Sequence, residues 1–383
     1  MNINISAISD IHFGAFDAEV LFNELNEGFL KPLKKKDKLD LVVITGDYYD
    51  KKISHNSKHA RYSTLFFTKL ISICNDKQAK IRVIQGTESH DNDQLELLEI
   101  IAKESECDIK FIYNVEEEEI FKDFKVLYIP EEYMTNKDEY YGEYFKNSYD
   151  MIFGHGMVQE VAFCAMTQES ATTMSKAPIF NTDIFRGICR GPVMFGHIHT
   201  PQTIKDCVYY IGSFSRWTFG EEESKGYSDI TYNTDNGYYK VKFKENKLAR
   251  QFDTIEISPS NNFFNKNIED QINFIHNITY VSQADFIRLK INLPSDYENE
   301  RLLTEMVKDT FSRHKNIKIL FNSNTKMKTK AQIEEKINAL MDKYGFMFDK
   351  TINYDEKICR YIQERYGRNI PIEKIREYIF GDI

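Results

Sequence analysis

Leu41-Val42-Val43-Ile44-Thr45-Gly46-Asp47 is the stretch on which the fold turns. Four consecutive apolar residues, three of them β-branched, leave no polar face, so the run reads as a strand covered on both sides. It stops on a glycine and a carboxylate. The same grammar recurs along the chain. Ile3, Ile5 and Ala7 alternate with polar residues and run into Ser9-Asp10-Ile11-His12. Ile81-Arg82-Val83-Ile84 leads through Gly86 to Ser89-His90-Asp91, and Met151-Ile152-Phe153 to Gly154-His155. Pro192-Val193-Met194-Phe195 leads to Gly196-His197-Ile198-His199. Between these strands, Tyr62, Leu65, Phe66, Leu70 and Ile73 recur at helical spacing, and Leu95, Leu98 and Ile101 begin a second amphipathic helix with Asp91, Asn92 and Asp93 as candidate caps. Strand alternating with helix predicts an α/β (α+β layered) core.

Bulk properties narrow the class. At 383 residues the chain can hold one large domain and one or two small ones. It is 42% hydrophobic and 28% charged, which is globular rather than disordered. No apolar stretch approaches a bilayer span, and the start, Met1-Asn2-Ile3-Asn4-Ile5, lacks the basic and apolar regions of a signal peptide. Cys74, Cys107, Cys164, Cys189, Cys207 and Cys359 are scattered without a Cys-x-x-Cys pair, so structural thiols in a reducing cytoplasm are expected. A net charge of −9 argues against passive nucleic-acid binding through a basic surface, although bound cations or a basic partner would change the local sign.

Beyond these strands, Val126-Leu127-Tyr128-Ile129 continues the series, and residues 156–190 read as a long excursion. Asn236-Gly237 marks a hairpin, and a strand near Ile255 closes the first domain, placed at residues 1–260. Ile287-Arg288-Leu289-Lys290-Ile291, a helical pattern over Leu302–Phe311 and Ile317-Lys318-Ile319-Leu320 predict a small β-α-β domain, residues 261–322. Residues 323–383 read as a helical tail, with Thr329/Gln332 and Asn353/Glu356 as capping boxes and Pro371 suited to a first turn.

The strand-end residues carry the chemistry. Five of the nine histidines lie there with Asp10 and Asp47, and hard divalent cations take imidazole nitrogen and carboxylate oxygen. A two-ion centre needs a bridging carboxylate with terminal ligands on either side. Asp47 is the expected bridge, Asp10, His12 and His199 could hold one ion, and His155 and His197 the other. His90 would act as general acid to the leaving oxygen or as a donor to the phosphate, with Asp91 orienting it. Alone, Asp-x-His is surface decoration and Gly-His-x-His a moderate signal; their ordered conjunction is strong. His55, His59, His276 and His314 match nothing and read as surface residues; Trp217 reads as packing, and Glu116-Glu117-Glu118-Glu119 as a solvated face or turn.

These blocks resemble those of the calcineurin-like metallophosphoesterase superfamily: D-x-H, G-D, G-N-H-[DE], G-H and G-H-x-H. Within it, Gly212-Ser213-Phe214-Ser215-Arg216-Trp217-Thr218-Phe219-Gly220-Glu221 with Lys225-Gly226-Tyr227 is similar to a stretch of the SbcD-type subunits of DNA double-strand-break repair nucleases. The resemblance implies a β-sandwich flanked by helices, a small capping domain and a helical tail that grips the coiled coil of an ABC-type (SbcC-type) ATPase. It implies an exonuclease and endonuclease acting on DNA ends with two divalent ions, Mn²⁺ or Mg²⁺, and a homodimer formed through helices such as the one around Tyr62–Ile73. It assigns Asp10, His12, Asp47, His155, His197 and His199 as metal ligands and His90 as the catalytic histidine. Two positions depart from it. The family's asparagine ligand is replaced by Ser89 in a loop two residues longer, with Glu88 or water as the alternative donor. Asp50 stands where such nucleases often have a histidine. A DNA-end-binding scaffold with weakened catalysis, and a small-substrate phosphodiesterase, are the competing readings.

Overall fold

A computed structural model of the chain describes residues 1–161 except 135, residues 178–323 except 260, 261, 283, 296 and 315, and beyond them residues 346, 352–366, 369, 371, 373 and 374. Two six-stranded sheets form its centre. The first runs in the order β14 (Tyr239–Glu245), β13 (Gly226–Asn233), β1 (Asn2–Ile8), β2 (Leu41–Thr45), β3 (Lys80–Ile84), β4 (Ile109–Ile112). The second runs β11 (Gln202–Ile204), β12 (Val208–Tyr210), β10 (Val193–Gly196), β7 (Met151–His155), β6 (Phe124–Ile129), β5 (Glu116–Phe121). β1, β2, β3 and β4 are parallel, as are β6, β7, β10 and β12. Eight strands therefore point their carboxyl ends the same way within their sheets, where α/β proteins place their ligands.

Side-chain alternation builds the layers. Leu41 and Val43 of β2 face an apolar filling shared with Ile5 and Ala7 of the first sheet and Val126, Phe153 and Met194 of the second. Val42 and Ile44 face the other way, onto Leu21, Phe66 and Leu70 from helices α1 (Ala18–Leu25) and α3 (Lys58–Lys77) and Leu98 of α4 (Glu96–Lys103). The opposite face of the second sheet, with Leu127, Ile152 and Phe195, packs Tyr141, Phe180 and Phe185. Helix, sheet, sheet, helix is the β-sandwich flanked by helices that the resemblance implies.

The acidic run, expected as a solvated face or turn, is a strand with Glu117 and Glu119 exposed. Glu116–Glu119 lies in β5, an edge strand, because its outward carboxylates find cations. Glu118 holds the buried Arg82 at 2.7 and 2.8 Å, Glu117 pairs with Lys125 at 2.9 Å and Glu116 with Lys110 at 2.9 Å. In the 156–190 excursion, the described residues give a short parallel pair, β8 (Met157–Val158) with β9 (Ile179–Phe180), and a helix Thr182–Ile188; residues 162–177 lie outside the described residues.

A third sheet orders β15 (Phe252–Ile257), β16 (Phe286–Leu293) and β17 (Ile317–Ser323), with helix Glu300–Thr310 between the last two. Contacts divide the chain into one compact unit of Met1–Ile255, Asn273–Leu289 and Thr310–Ile319, and another of Glu256–Ile272, Lys290–Asp309 and Leu320–Ile383. The linear partition at 260 and 322 differs from this interleaved one. In the tail, helix Tyr354–Tyr366 follows Asn353, whose side chain accepts the Glu356 N–H at 2.9 Å; the Thr329 box lies outside the described residues. Among the described residues no helix is long and apolar enough to cross a membrane, and Cys74, Cys107, Cys189 and Cys207 form no disulfide.

Candidate metal centre

Eight side chains converge at the carboxyl ends of the parallel strands. β1 delivers Asp10 and His12, β2 Asp47, and the turn after β3 His90. From the second sheet, β6 delivers Glu131, β7 His155, and β10 His197 and His199. Asp10, His12, Asp47 and His197 all have positive φ, at 50°, 53°, 49° and 84°. Non-glycine residues held there store local strain, which points to a functional demand at those positions. Two glycines admit the close approach. A Cβ on Gly46 would collide with the His155 ring, and one on Gly196 with Ser9 Oγ and the Thr45 carbonyl.

Four overlapping groups of donors can be traced among the described residues: Asp10, His12 and His199; His12, Asp47 and His90; Asp10, Asp47 and His155; and Glu131, His155 and His197. His12 Nε2 and His199 Nε2 lie 3.1 Å apart, and 3.9 and 3.7 Å from Asp10 Oδ1. Asp47 Oδ2 is 3.8 Å from His12 Nε2 and 3.4 Å from His155 Nε2, the middle position a bridge must occupy. Glu131 Oε2 is 3.0 Å from His197 Nδ1 and 3.8 Å from His155 Nε2. These separations are those of atoms sharing a cation at about 2.0–2.2 Å.

The donors are also poised for metal. His155 is fully buried and gives its Nδ1–H to the Thr45 carbonyl at 2.7 Å, which leaves Nε2 as the atom that would face an ion; that atom has no hydrogen-bond partner. An orphaned buried nitrogen aimed at two carboxylates fits a metal ligand. Burial alone would push the His155 imidazole down, but the charges of Asp47, Asp10 and Glu131 turn its net shift upward. Burial likewise pushes Asp47 up, and His155, His90 and His12 reverse this and hold it well below the usual range. Asp10, His12, Asp47 and His155 are essentially inaccessible, whereas His90, His197 and His199 are 28%, 24% and 32% exposed and form the open face.

Carboxylates stand behind two of the imidazoles. Asp50 lies 3.5 Å from His12 Nδ1, and its carboxyl is lowered by that contact. Glu221 Oε1 lies 3.7 Å from His199 Nδ1, while its Oε2 is 2.7 Å from Lys225 Nζ. Lys225, fully buried, donates to the His199 carbonyl at 2.9 Å. Arg216 braces this turn by donating to the carbonyls of Glu221, Glu223 and Arg250 at 2.9, 3.0 and 3.3 Å. Trp217 is buried as expected of packing, with its ring 5.6 Å from that of His12.

Two expectations need correction. Asp91 does not orient His90. Its oxygens accept the backbone N–H groups of Tyr49 and Gly86 at 3.0 and 2.8 Å, tying the turn after β3 to the turn after β2. Burial, with the nearby Asp47 charge, pushes its carboxyl up to about 7. His90 is instead held through Nδ1 by Asp47 Oδ2 at 3.0 Å. Ser89 is exposed on the turn, and the carboxylate beside His155 and His197 is that of Glu131, a residue the motif reading missed. The signal was present: Glu131 lies two residues beyond β6, as Asp10 lies two beyond β1 and Asp47 two beyond β2.

The family model of the calcineurin-like phosphoesterases matches residues 3–201, more than half of the 383, and the chain belongs to that family. Metal-dependent phosphoester hydrolysis follows from this membership, and the described donor set fits the divalent ions such enzymes hold. No curated protein matches the chain. One solved crystal structure aligns over 64% of this chain and 100% of its own at 12% identity, with a TM-score of 0.31, too slight a likeness to argue from.

Proposed function

We propose that the chain is an SbcD-type DNA nuclease subunit. It would hydrolyse phosphodiester bonds at DNA ends, as exonuclease and endonuclease, with Mn²⁺ as the preferred ion and Mg²⁺ as the alternative. The proposed assembly is a homodimer joined to an ABC-type ATPase. The observation that carries the reading is the coupling of the Gly212–Tyr227 stretch to the centre: Glu221 backs His199, Lys225 binds its carbonyl and Arg216 braces both. The segment that resembles the nuclease subunits is thus joined to the hydrolytic cluster rather than incidental to it.

Two bound divalent cations would polarise the phosphoryl oxygens and lower the pKa of the attacking water. Asp10, His12, Asp47 and His199 would hold one, and Asp47, His155 and His197 the other. The scissile phosphate approaches over the open face of His90, His197 and His199. Asp47 fixes His90 through Nδ1, which leaves Nε2 to donate to the leaving oxygen. Without bound ions, burial opposes protonation of His90, but Asp47, Asp50 and Asp91 outweigh it and raise its pKa.

The test is Mn²⁺-dependent digestion of linear duplex DNA by the full chain, with and without the ATPase, beside a His90→Ala variant. Loss of digestion in the variant supports the nuclease. Cleavage of a small chromogenic phosphodiester but of no DNA, even with the ATPase, refutes it in favour of a small-substrate enzyme. At a net charge of −9, weak DNA affinity of the lone chain and a marked gain in the assembly are expected. Tight binding by the monomer at physiological salt would contradict this.

A further inference from the structure

We infer that Glu131 is a direct ligand of the second ion, filling with a carboxylate the seat that an asparagine amide holds in the family's G-N-H block. The inference rests on the two-ion reading of the centre and not on the DNA substrate. Its geometric basis is threefold. Glu131 Oε2 lies within 3.0 Å of His197 Nδ1 and 3.8 Å of His155 Nε2, the two imidazoles on the side of Asp47 away from His12 and His199. His155 Nε2 is buried and unpartnered, and faces Glu131 and Asp47 together. Glu131 is itself 2% exposed and too deep to be a surface carboxylate.

Its surroundings set how it would bind. Tyr133 donates to Oε1 at 2.6 Å, which occupies one oxygen and leaves Oε2 as a single donor. Thr87 stands between the two carboxylates, with its hydroxyl 3.4 Å from both Asp47 Oδ2 and Glu131 Oε2, and gives its N–H to Asp47 Oδ1 at 2.7 Å. The longer loop after β3 therefore puts threonine backbone and hydroxyl beside Asp47 and Glu131. Glu131 reaches His155 and His197 from β6 of the opposite sheet. The exchange adds one negative charge, so the second site carries two carboxylates and two imidazoles. Such a set favours hard ions over soft ones. On this account Ser89 has no part in metal binding.

The experiment counts ions in the full chain. Metal-free protein is titrated with Mn²⁺ by calorimetry, metal content is measured after gel filtration, and the Mn²⁺ EPR spectrum is recorded. Wild type, Glu131→Gln, Glu131→Ala and Ser89→Ala are compared, with circular dichroism of each metal-free form to establish folding. Wild type and Ser89→Ala are expected to take two ions and to show a spin-coupled pair. Glu131→Gln, nearly isosteric, is expected to weaken the second ion by at least roughly 10- to 100-fold, judged against outer-sphere ligand losses. Glu131→Ala should take one ion and give an uncoupled six-line spectrum. Two coupled ions at unchanged affinity in folded Glu131→Gln and Glu131→Ala would overturn the inference and leave the two-ion reading standing. Loss of the second ion in Ser89→Ala would also overturn it. Failure of the wild type to bind a second ion would overturn both.

Discussion

Glu221→Gln is the perturbation whose consequences follow most directly from the structure. The side chain is 14% exposed, and its Oε2 pairs at 2.7 Å with Lys225, whose side chain is fully buried. Burial pushes the carboxyl up, but His199 and Lys225 bring it down to about 2, against an ordinary 4.5. That difference corresponds to about 3 kcal/mol in favour of the charged form. Losing one partner of a buried pair generally costs about 3–5 kcal/mol, because the other charge is stranded. Lys225 would keep the His199 carbonyl, and glutamine would still accept from the Thr218 N–H, so a smaller loss than that range is expected, about 2–3 kcal/mol in urea unfolding at pH 7. Because the folded pKa is depressed, this stability is present in full above 4.5 and is lost as pH falls towards 2. The variant and wild type should therefore converge in that window. Calorimetric titration should show the first ion weakened by roughly 10- to 100-fold, the usual result of removing a carboxylate behind a ligating histidine. Adding Lys225→Met removes the stranded charge and should recover part of the lost stability. A double variant no more stable than Glu221→Gln, or a single variant with wild-type stability and ion affinity, refutes the reasoning.

Glu118→Gln strands the nearly inaccessible Arg82, with Asp108 left at 2.9 Å as its remaining anion, and should cost about 2–4 kcal/mol at pH 7. The Glu118 carboxyl is pushed up by burial but brought below 4.5 overall by Arg82, so the deficit should shrink as an acid titration of urea unfolding passes below pH 4.5. Gly196→Ala would drive a methyl group into Ser9 and the Thr45 carbonyl and to 2.8 Å from His155 Nδ1; lost ion uptake by metal analysis and a lowered Tm are expected. Chelation should also lower Tm, because at 100 times Kd each ion stabilises the folded state by about 2.7 kcal/mol; a Tm indifferent to EDTA would contradict the metal centre.

Much of the fold was legible because buried parallel strands leave an unambiguous apolar signature. Leu41–Ile44 has no polar face, and in the structure its residues fill two different cores. The ligands were legible where two fell in one short motif, as with Asp10 and His12 or His197 and His199. Glu131 was not, because its neighbouring imidazoles, His155 and His197, lie 24 or more residues away and a lone Pro130-Glu131-Glu132 has no spacing to read. Asp91 was misjudged for the opposite reason. Adjacency to His90 in sequence suggested a contact, but the turn aims its carboxylate at the Tyr49 and Gly86 amides. The glutamate run reads in sequence as a solvated face or turn; Glu117 and Glu119 are exposed, but the run is a strand, and its countercharges Arg82, Lys110 and Lys125 carry no local signal.

The two sheets divide the centre between them. Asp10, His12, Asp47 and His90 ride on one, and Glu131, His155, His197 and His199 on the other. The gap across which cations are gripped is consequently gauged by the hydrocarbon filling underneath, where Ile5, Val43, Val126 and Phe153 meet. Interior side chains that never touch a phosphate act here as the shim of a vice: trimming one would reset the spacing of the jaws.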